Sequence, residues 1–245
     1  MTPADGVAPS VSRAGLGSVE SVRQVASAPM NTPMPDDVSW VVVIPAKPLA
    51  TAKSRLADAA GGRRPELALA MLLDTVETTL LTEHVAAVLV VTDDDLIAAA
   101  AAKVGAVVVP DVPGEGLNAA FRHGIEVATA RYPGAGVALL AGDLPALRAQ
   151  ELEAALLVAA SSPGVVVVAD HEEVGTTLLA SRSAAQLRPA FGVGSFARHR
   201  DLGAIALEHR GLDGLRCDVD DADGLREAVS LGVGLRTAAA VGEQT

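Results

Sequence analysis

From residue 40 onward, short and uniformly apolar runs alternate with stretches whose apolar residues recur at helical spacing. The runs, rich in β-branched residues, are 40–45, 85–92, 106–110, 137–141 and 164–169. They do not alternate apolar with polar, which is the signature of parallel strands buried on both faces. Between them, Leu117, Phe121, Ile125 and Ala128 fall on one helical stripe, as do Leu152, Leu156 and Ala159. A helix over about 65–82 opens at Pro65, a favourable first-turn residue. This βαβ rhythm predicts a single α/β domain over residues 38–237, with a mostly parallel central sheet and helices on both faces. The last third breaks the rhythm. Residues 176–181 predict a strand antiparallel to its neighbours, 195–210 a helix, 214–219 a short strand with Cys217 buried in it, and 222–231 a helix. There is no internal repeat.

The two ends read differently. Residues 1–37 are rich in Ser, Pro, Ala and Val without periodicity and predict a disordered extension; 238–245 predict a flexible tail. The start lacks the basic segment and apolar core of a signal peptide. Met30 and Met34 leave the start codon open.

Composition narrows the function classes. The formal net charge of -11 argues against nucleic-acid binding. A 50% hydrophobic, 2% aromatic composition calls for an aliphatic core. The single cysteine excludes an internal disulfide and offers no metal-ligand spacing, and the cytoplasm is the simplest location. No run reaches the roughly 18 apolar residues of a membrane span. Exposed apolar segments in the last third are able to support a homodimer.

Against this acidic background, the loop after the first apolar run carries Lys47, Lys53 and Arg55. In open α/β sheets ligands bind outside the carboxyl ends of the strands. Cations there suit a polyphosphate, Lys as a point charge and Arg as a bidentate fork. The same loop is equally consistent with a solvated charged turn. Gly142-Asp143-Leu144-Pro145 delivers a carboxylate to the same edge, a candidate Mg²⁺ ligand or a turn-organising Asp. Asp218 and Asp220 alternate at the end of a predicted strand and so share a side, while Asp221 or Asp223 suits the cap of the following helix. Pro113-Gly-Glu-Gly-Leu-Asn118 joins a strand to an amphipathic helix. Its glycines admit close backbone approach to a base or sugar, and ordinary helix-start chemistry explains it as well. Gly175-Thr176-Thr177 and Gly192-Val-Gly-Ser195 precede Arg198 and His199; here an anion site competes with a simple Ser cap.

Taken together, Pro45-Ala46-Lys47-Pro-Leu, Ala52-Lys53-Ser-Arg55-Leu, Gly142-Asp143-Leu-Pro and Asp218-Val-Asp220-Asp-Ala-Asp-Gly-Leu resemble, in order and spacing, the guanylyltransferases of coenzyme F-420 biosynthesis. Members of this family act on phosphoenolpyruvate or 2-phospho-L-lactate. The similarity covers about residues 38–235. It implies a Rossmann-like nucleotidyltransferase fold and transfer of GMP from GTP to a phosphorylated three-carbon acid, with Mg²⁺ as cofactor and pyrophosphate leaving. By that likeness Asp143 and Asp220 hold Mg²⁺, with Asp218 as a third candidate. Lys47, Lys53 and Arg55 neutralise the triphosphate. Pro45, Ala46, Gly116, Leu117 and Asn118 sit near the nucleotide, and Thr176, Gly192 and Ser195 bind the acid. The Thr176-Thr177 pair with Gly192-Val-Gly-Ser looks more like the phosphoenolpyruvate-using branch. The chain departs from the pattern at His171-Glu-Glu-Val, at Val193, and at Asp221-Ala222, where the family has Thr-Pro. Two other readings are a molybdenum-cofactor nucleotidyltransferase, which would keep a glycine-rich first loop, and a non-catalytic nucleotide sensor, against which the joint presence of Asp143 and Asp220 argues.

Overall fold

The apolar runs of the sequence become strands of one mixed sheet. The computed structural model describes residues 1, 25–26, 38–50, 63–112, 114–208 and 210–242. Its strands are β1 (Val25–Ala26), β2 (Trp40–Pro45), β3 (Val85–Thr92), β4 (Val107–Pro110), β5 (Gly136–Leu140), β6 (Val166–Ala169), β7 (Thr176–Ser181) and β8 (Ile205–Leu207). Among the described residues they lie in the order β1-β8-β6-β7-β5-β2-β3-β4. Every pairing is parallel except the two made by β7, which runs antiparallel to β5 and to β6. That direction agrees with the reading of residues 176–181.

The helices are α1 (Arg64–Leu80), α2 (Asp95–Lys103), α3 (Leu117–Arg131), α4 (Ala149–Ser161), α5 (Ser195–Asp201), α6 (Asp213–Arg216), α7 (Ala222–Leu231) and α8 (Leu235–Gly242). Successive strand side chains point to opposite faces, and the core divides accordingly. Val42, Ile44, Val88, Val90, Ala138 and Leu140 pack under Leu72 and Val76 of α1 and Leu152 and Leu156 of α4. Val41, Val43, Leu89, Val91, Val137 and Leu139 pack under Phe121 and Ala128 of α3 and under Phe191. Both faces of the sheet are therefore helix-covered, which is why β2, β3 and β5 are apolar along almost their whole length. Each fully buried aliphatic side chain contributes about 1.5–3 kcal/mol.

Three expectations for the last third need correction. The helix from residue 195 ends at Asp201, not near 210, and Ile205–Leu207 is a strand instead. Gly203, at φ 92, takes the left-handed conformation that ends a helix, and β6 and β1 supply the ladder for β8. Residues 213–216 form a helical turn where a strand was expected over 214–219. Its first amides, Gly214 N–H and Leu215 N–H, donate to the buried carboxylate of Glu151 at 3.2 and 2.8 Å, a partner supplied by α4. Cys217 is buried as expected but lies outside any strand; burial, with Glu227 and Asp218 nearby, pushes its thiol up to about 12. Finally, the boundary expected at residue 237 falls inside α8. The carboxylate of Asp74, on α1, accepts from Arg236 N–H (3.1 Å) and Thr237 N–H (2.8 Å) at the start of that helix. Val25–Ala26, within the stretch expected to be disordered, pairs with the outer edge of β8.

Candidate active site

Parallel strands β2 to β6 point their carboxyl ends to one edge, and antiparallel β7 starts there. Ala169 pairs with Thr176, and Ala141 N–H donates to Thr177 O at 2.9 Å, so the first residues of β7 stand between the ends of β5 and β6. At this edge the Pro45-Ala46-Lys47 turn leaves β2. Ala46 N–H donates to Val91 O (2.9 Å) and Leu49 N–H to Asp94 Oδ2 (2.9 Å), while the guanidinium of Arg64 donates to Ala50 O (2.8 Å). Lys47 is exposed on this anchored turn. Asp94 also caps α2, accepting from Leu96 and Ile97. The Leu49 amide is the largest cause holding its carboxyl below the usual carboxylate range. Sequence reasoning missed Asp94 as an anchor, although an Asp just before Leu96 is a legible cap signal. Lys53, Arg55 and Pro113 lie outside the described residues.

Four aspartates converge where β5, β6 and the 217–220 segment meet. Burial first, then the charges of Asp143, Asp220 and Asp170, pushes the Asp218 carboxyl up to about 7. Backbone and helix packing hold them. Val219 N–H donates to Asp143 O at 3.0 Å, and Leu144 N–H donates to the buried Thr75 hydroxyl at 3.1 Å. Asp218 is half-buried, whereas Asp220 is exposed. Asp170 turns its carboxylate to the amides of Val174 (2.9 Å) and Gly175 (2.6 Å), closing the turn that leads into Thr176. Among the described residues, no three His, Cys, Asp or Glu side chains form a ready metal cage. One or two carboxylates completed by substrate phosphates is nonetheless the coordination that Mg²⁺ accepts. The donor set of Asp143 with Asp218 or Asp220, all oxygen and mutually repelling, fits a hard divalent cation.

On the β7 side, Thr176, Ser195 and His199 form one buried cluster. Ser195 Oγ donates to Thr176 Oγ1 at 3.1 Å, and His199 Nδ1 lies 3.0 Å from the same oxygen. Gly192 (φ 121) and Gly194 (φ 72) shape the loop before α5, and Arg198 folds back to donate to Ala190 O and Val193 O. Asn118, at the start of α3, spans the two halves. Its Nδ2 donates to Phe191 O (3.0 Å), and its Oδ1 accepts from Phe191 N–H (2.7 Å). It thus clamps the 114–118 loop, with exposed Gly116 and half-buried Leu117, to the loop carrying Gly192. The structure therefore brings Lys47, Asp143, Asp218, Asp220, Thr176, Ser195 and Gly192 to one edge. His199, which the sequence offered only as a first-turn neighbour of Ser195, belongs there too, as does Asp170, which no sequence signal singled out.

Residues 40–238 match the family model described as "Guanylyl transferase CofC like". Among curated proteins, the chain is 52% identical over 168 residues to a phosphoenolpyruvate guanylyltransferase of Thermomonospora curvata, covering 69% of this chain and 73% of that one. It is 48% identical over 171 residues to a protein of the same name from Streptomyces avermitilis, covering 69% and 79%. Among solved structures, a cytidylyltransferase from Leptospira borgpetersenii shares the fold at a TM-score of 0.52 and 11% identity, covering 84% of this chain and 93% of that one. Among the described residues no helix is long and apolar enough to cross a membrane. A match over four-fifths of the chain, together with relatives at about half identity, means that the chain belongs to the CofC-like guanylyl transferase family.

Proposed function

We propose that this protein transfers GMP from GTP to phosphoenolpyruvate, forming enolpyruvyl-diphospho-5'-guanosine and releasing pyrophosphate. A phosphate oxygen of the acid attacks the α-phosphorus, a new P–O bond forms, and the bond to the β-phosphate oxygen breaks. The attacking phosphate is already ionised, so the step needs charge neutralisation and in-line positioning rather than a protein base. The observation that carries this reading is the meeting, at one sheet edge, of the anchored Lys47 turn, the aspartate group around Asp218 and the Thr176–Ser195 pair. In this reading Lys47, with Lys53 and Arg55, neutralises the triphosphate. The Pro45–Lys47 turn and Gly116 to Asn118 bound the nucleotide, Asn118 acting mainly as a clamp. Thr176, Gly192 and Ser195 hold the acid. Asp143 with Asp218 or Asp220 would hold Mg²⁺, which would supply charge neutralisation for the phosphates. The names of the relatives support guanine and phosphoenolpyruvate as the substrates.

The test is pyrophosphate release with Mg²⁺ and GTP, using phosphoenolpyruvate or 2-phospho-L-lactate as acceptor and ATP and CTP as controls. The expected result is release that requires GTP and is faster with phosphoenolpyruvate. Faster release with phospholactate moves the protein to the sister activity, and no release from folded protein with any pair overturns the transferase reading.

A further inference from the structure

The Thr176 hydroxyl has an unusual set of neighbours. His199 is 1% exposed and held from both ring nitrogens. The Ala190 amide donates to Nε2 at 2.9 Å, and an amide N–H has no other role to play, so Nε2 carries no proton. A neutral imidazole then carries its proton on Nδ1, which faces Thr176 Oγ1 at 3.0 Å and donates to it. Ser195 Oγ donates to that oxygen as well, at 3.1 Å. Both lone pairs of the Thr176 hydroxyl are thus occupied by donors, and its own proton is directed away from His199 and Ser195. Thr176 lies at the sheet edge that also carries Asp143 and Lys47, where an acid substrate meets GTP.

We propose that His199 is a positioning residue that fixes the Thr176 hydroxyl as a hydrogen-bond donor to the anionic acid substrate. The inference rests on the reading of Thr176 as an acid-binding residue. Its surroundings keep the imidazole neutral and in place. Burial first, and the Arg198 charge second, lower its pKa to about 4, so it is neutral at physiological pH. The Phe191 ring meets the imidazole edge-on at 5.0 Å and stacks on Phe121 at 4.3 Å, closing the cluster from behind. Asn118 fixes the Phe191 backbone from the opposite side. Without the Nδ1 donor, the Thr176 hydroxyl is free to rotate and satisfy itself within the cluster, and the acid loses an oriented donor.

Two amide side chains separate the ring's functions. In His199→Asn an N–H is able to replace Nδ1 as donor to Thr176 while the acceptor for Ala190 is lost. In His199→Gln the acceptor is kept and the Thr176 donor is lost. Expected is a rise of about tenfold in KM for the acid in His199→Gln, the equivalent of about 1.4 kcal/mol. KM for GTP stays within about twofold, and His199→Asn lies closer to wild type. Equal losses in the two variants, or parallel rises in both KM values, would make His199 merely structural and overturn the proposal. Thr176→Val separates the two levels of the argument. A raised acid KM there with unaffected His199 variants overturns only the role of His199, whereas an unchanged acid KM in Thr176→Val overturns the reading of Thr176 itself. The ring can also be read in the wild-type protein, independent of any variant's folding. Nitrogen-15 shifts showing a protonated Nδ1 and an unprotonated Nε2 are expected, and the opposite tautomer or a charged ring at pH 7 overturns the proposal.

Discussion

Asp94 serves two elements with one carboxylate. It caps α2 through Leu96 and Ile97 and anchors the Lys47 turn through Leu49. Loss of a helix cap alone costs about 1 kcal/mol. Asp94→Ala is therefore expected to lower stability by about 1–2 kcal/mol in urea unfolding and to raise KM for GTP more than KM for the acid. An unchanged KM for GTP would show that the Leu49 tether does not position the turn. His199 makes stability depend on pH. Its folded pKa of about 4 lies below the ordinary value of 6.5, so the unfolded chain binds an extra proton between those values. The stability tied to the neutral ring is complete above about pH 6.5 and is lost as pH falls toward 4. Unfolding free energy measured across that window should fall more steeply with acidification in wild type than in His199→Gln.

At the scale of elements, α8 is joined to α1 by two kinds of contact that differ in weight. The buried Asp74 carboxylate holds the first amides of α8, whereas the bidentate Arg236–Glu77 pair is partly exposed, with side chains 42% and 38% accessible. Exposed ion pairs contribute roughly 0–1 kcal/mol. Removing a buried hydrogen-bonded acceptor leaves amides unsatisfied and costs about 1–3 kcal/mol for each. Asp74→Ala is thus expected to destabilise by at least about 2 kcal/mol and Glu77→Gln by less than about 1. A reversal of that order in chemical denaturation would put the surface pair, not the cap, in charge of docking the helix.

At the scale of the whole molecule, the acidic chain gathers Asp143, Asp170, Asp218 and Asp220 at one sheet edge, where burial and the neighbouring charges raise the pKa of the Asp218 carboxyl. Chelating divalent cations is expected to abolish pyrophosphate release without unfolding the protein, and added Mg²⁺ to restore it. Asp143→Ala should lose turnover by about 10²-fold or more at a melting temperature near that of wild type. Its near-full activity would move the cation site elsewhere. Residues 1–36 contribute a two-residue edge pairing with β8 among the described residues. Their deletion is expected to leave turnover unchanged in the same assay.

How much of this was legible in the sequence depends on the range of the forces involved. Runs such as 40–45 and 85–92 declare themselves as strands because both faces of a parallel sheet are dry, and the stripe of Phe121 and Ala128 declares a helix because its period matches 3.6 residues. Local order likewise placed Asp143 at a strand end and Asp221 at the cap of α7. Within residues 195–242, three segments were decided by partners remote in sequence. Glu151 made residues 213–216 a helical turn, β6 and β1 made 205–207 a strand, and Asp74 made 235–242 a docked helix. The site follows the same division. The chain alone named Asp143, Asp218 and Asp220, the Lys47 turn and Thr176 with Ser195. Only the antiparallel entry of β7 set Thr176 beside the carboxyl ends of β5 and β6, and only tertiary packing turned Asn118 toward Phe191 and His199 toward Thr176. Hydrophobic periodicity is written residue by residue, whereas a hydrogen bond between groups 23 or 73 positions apart exists only once the chain has closed on itself.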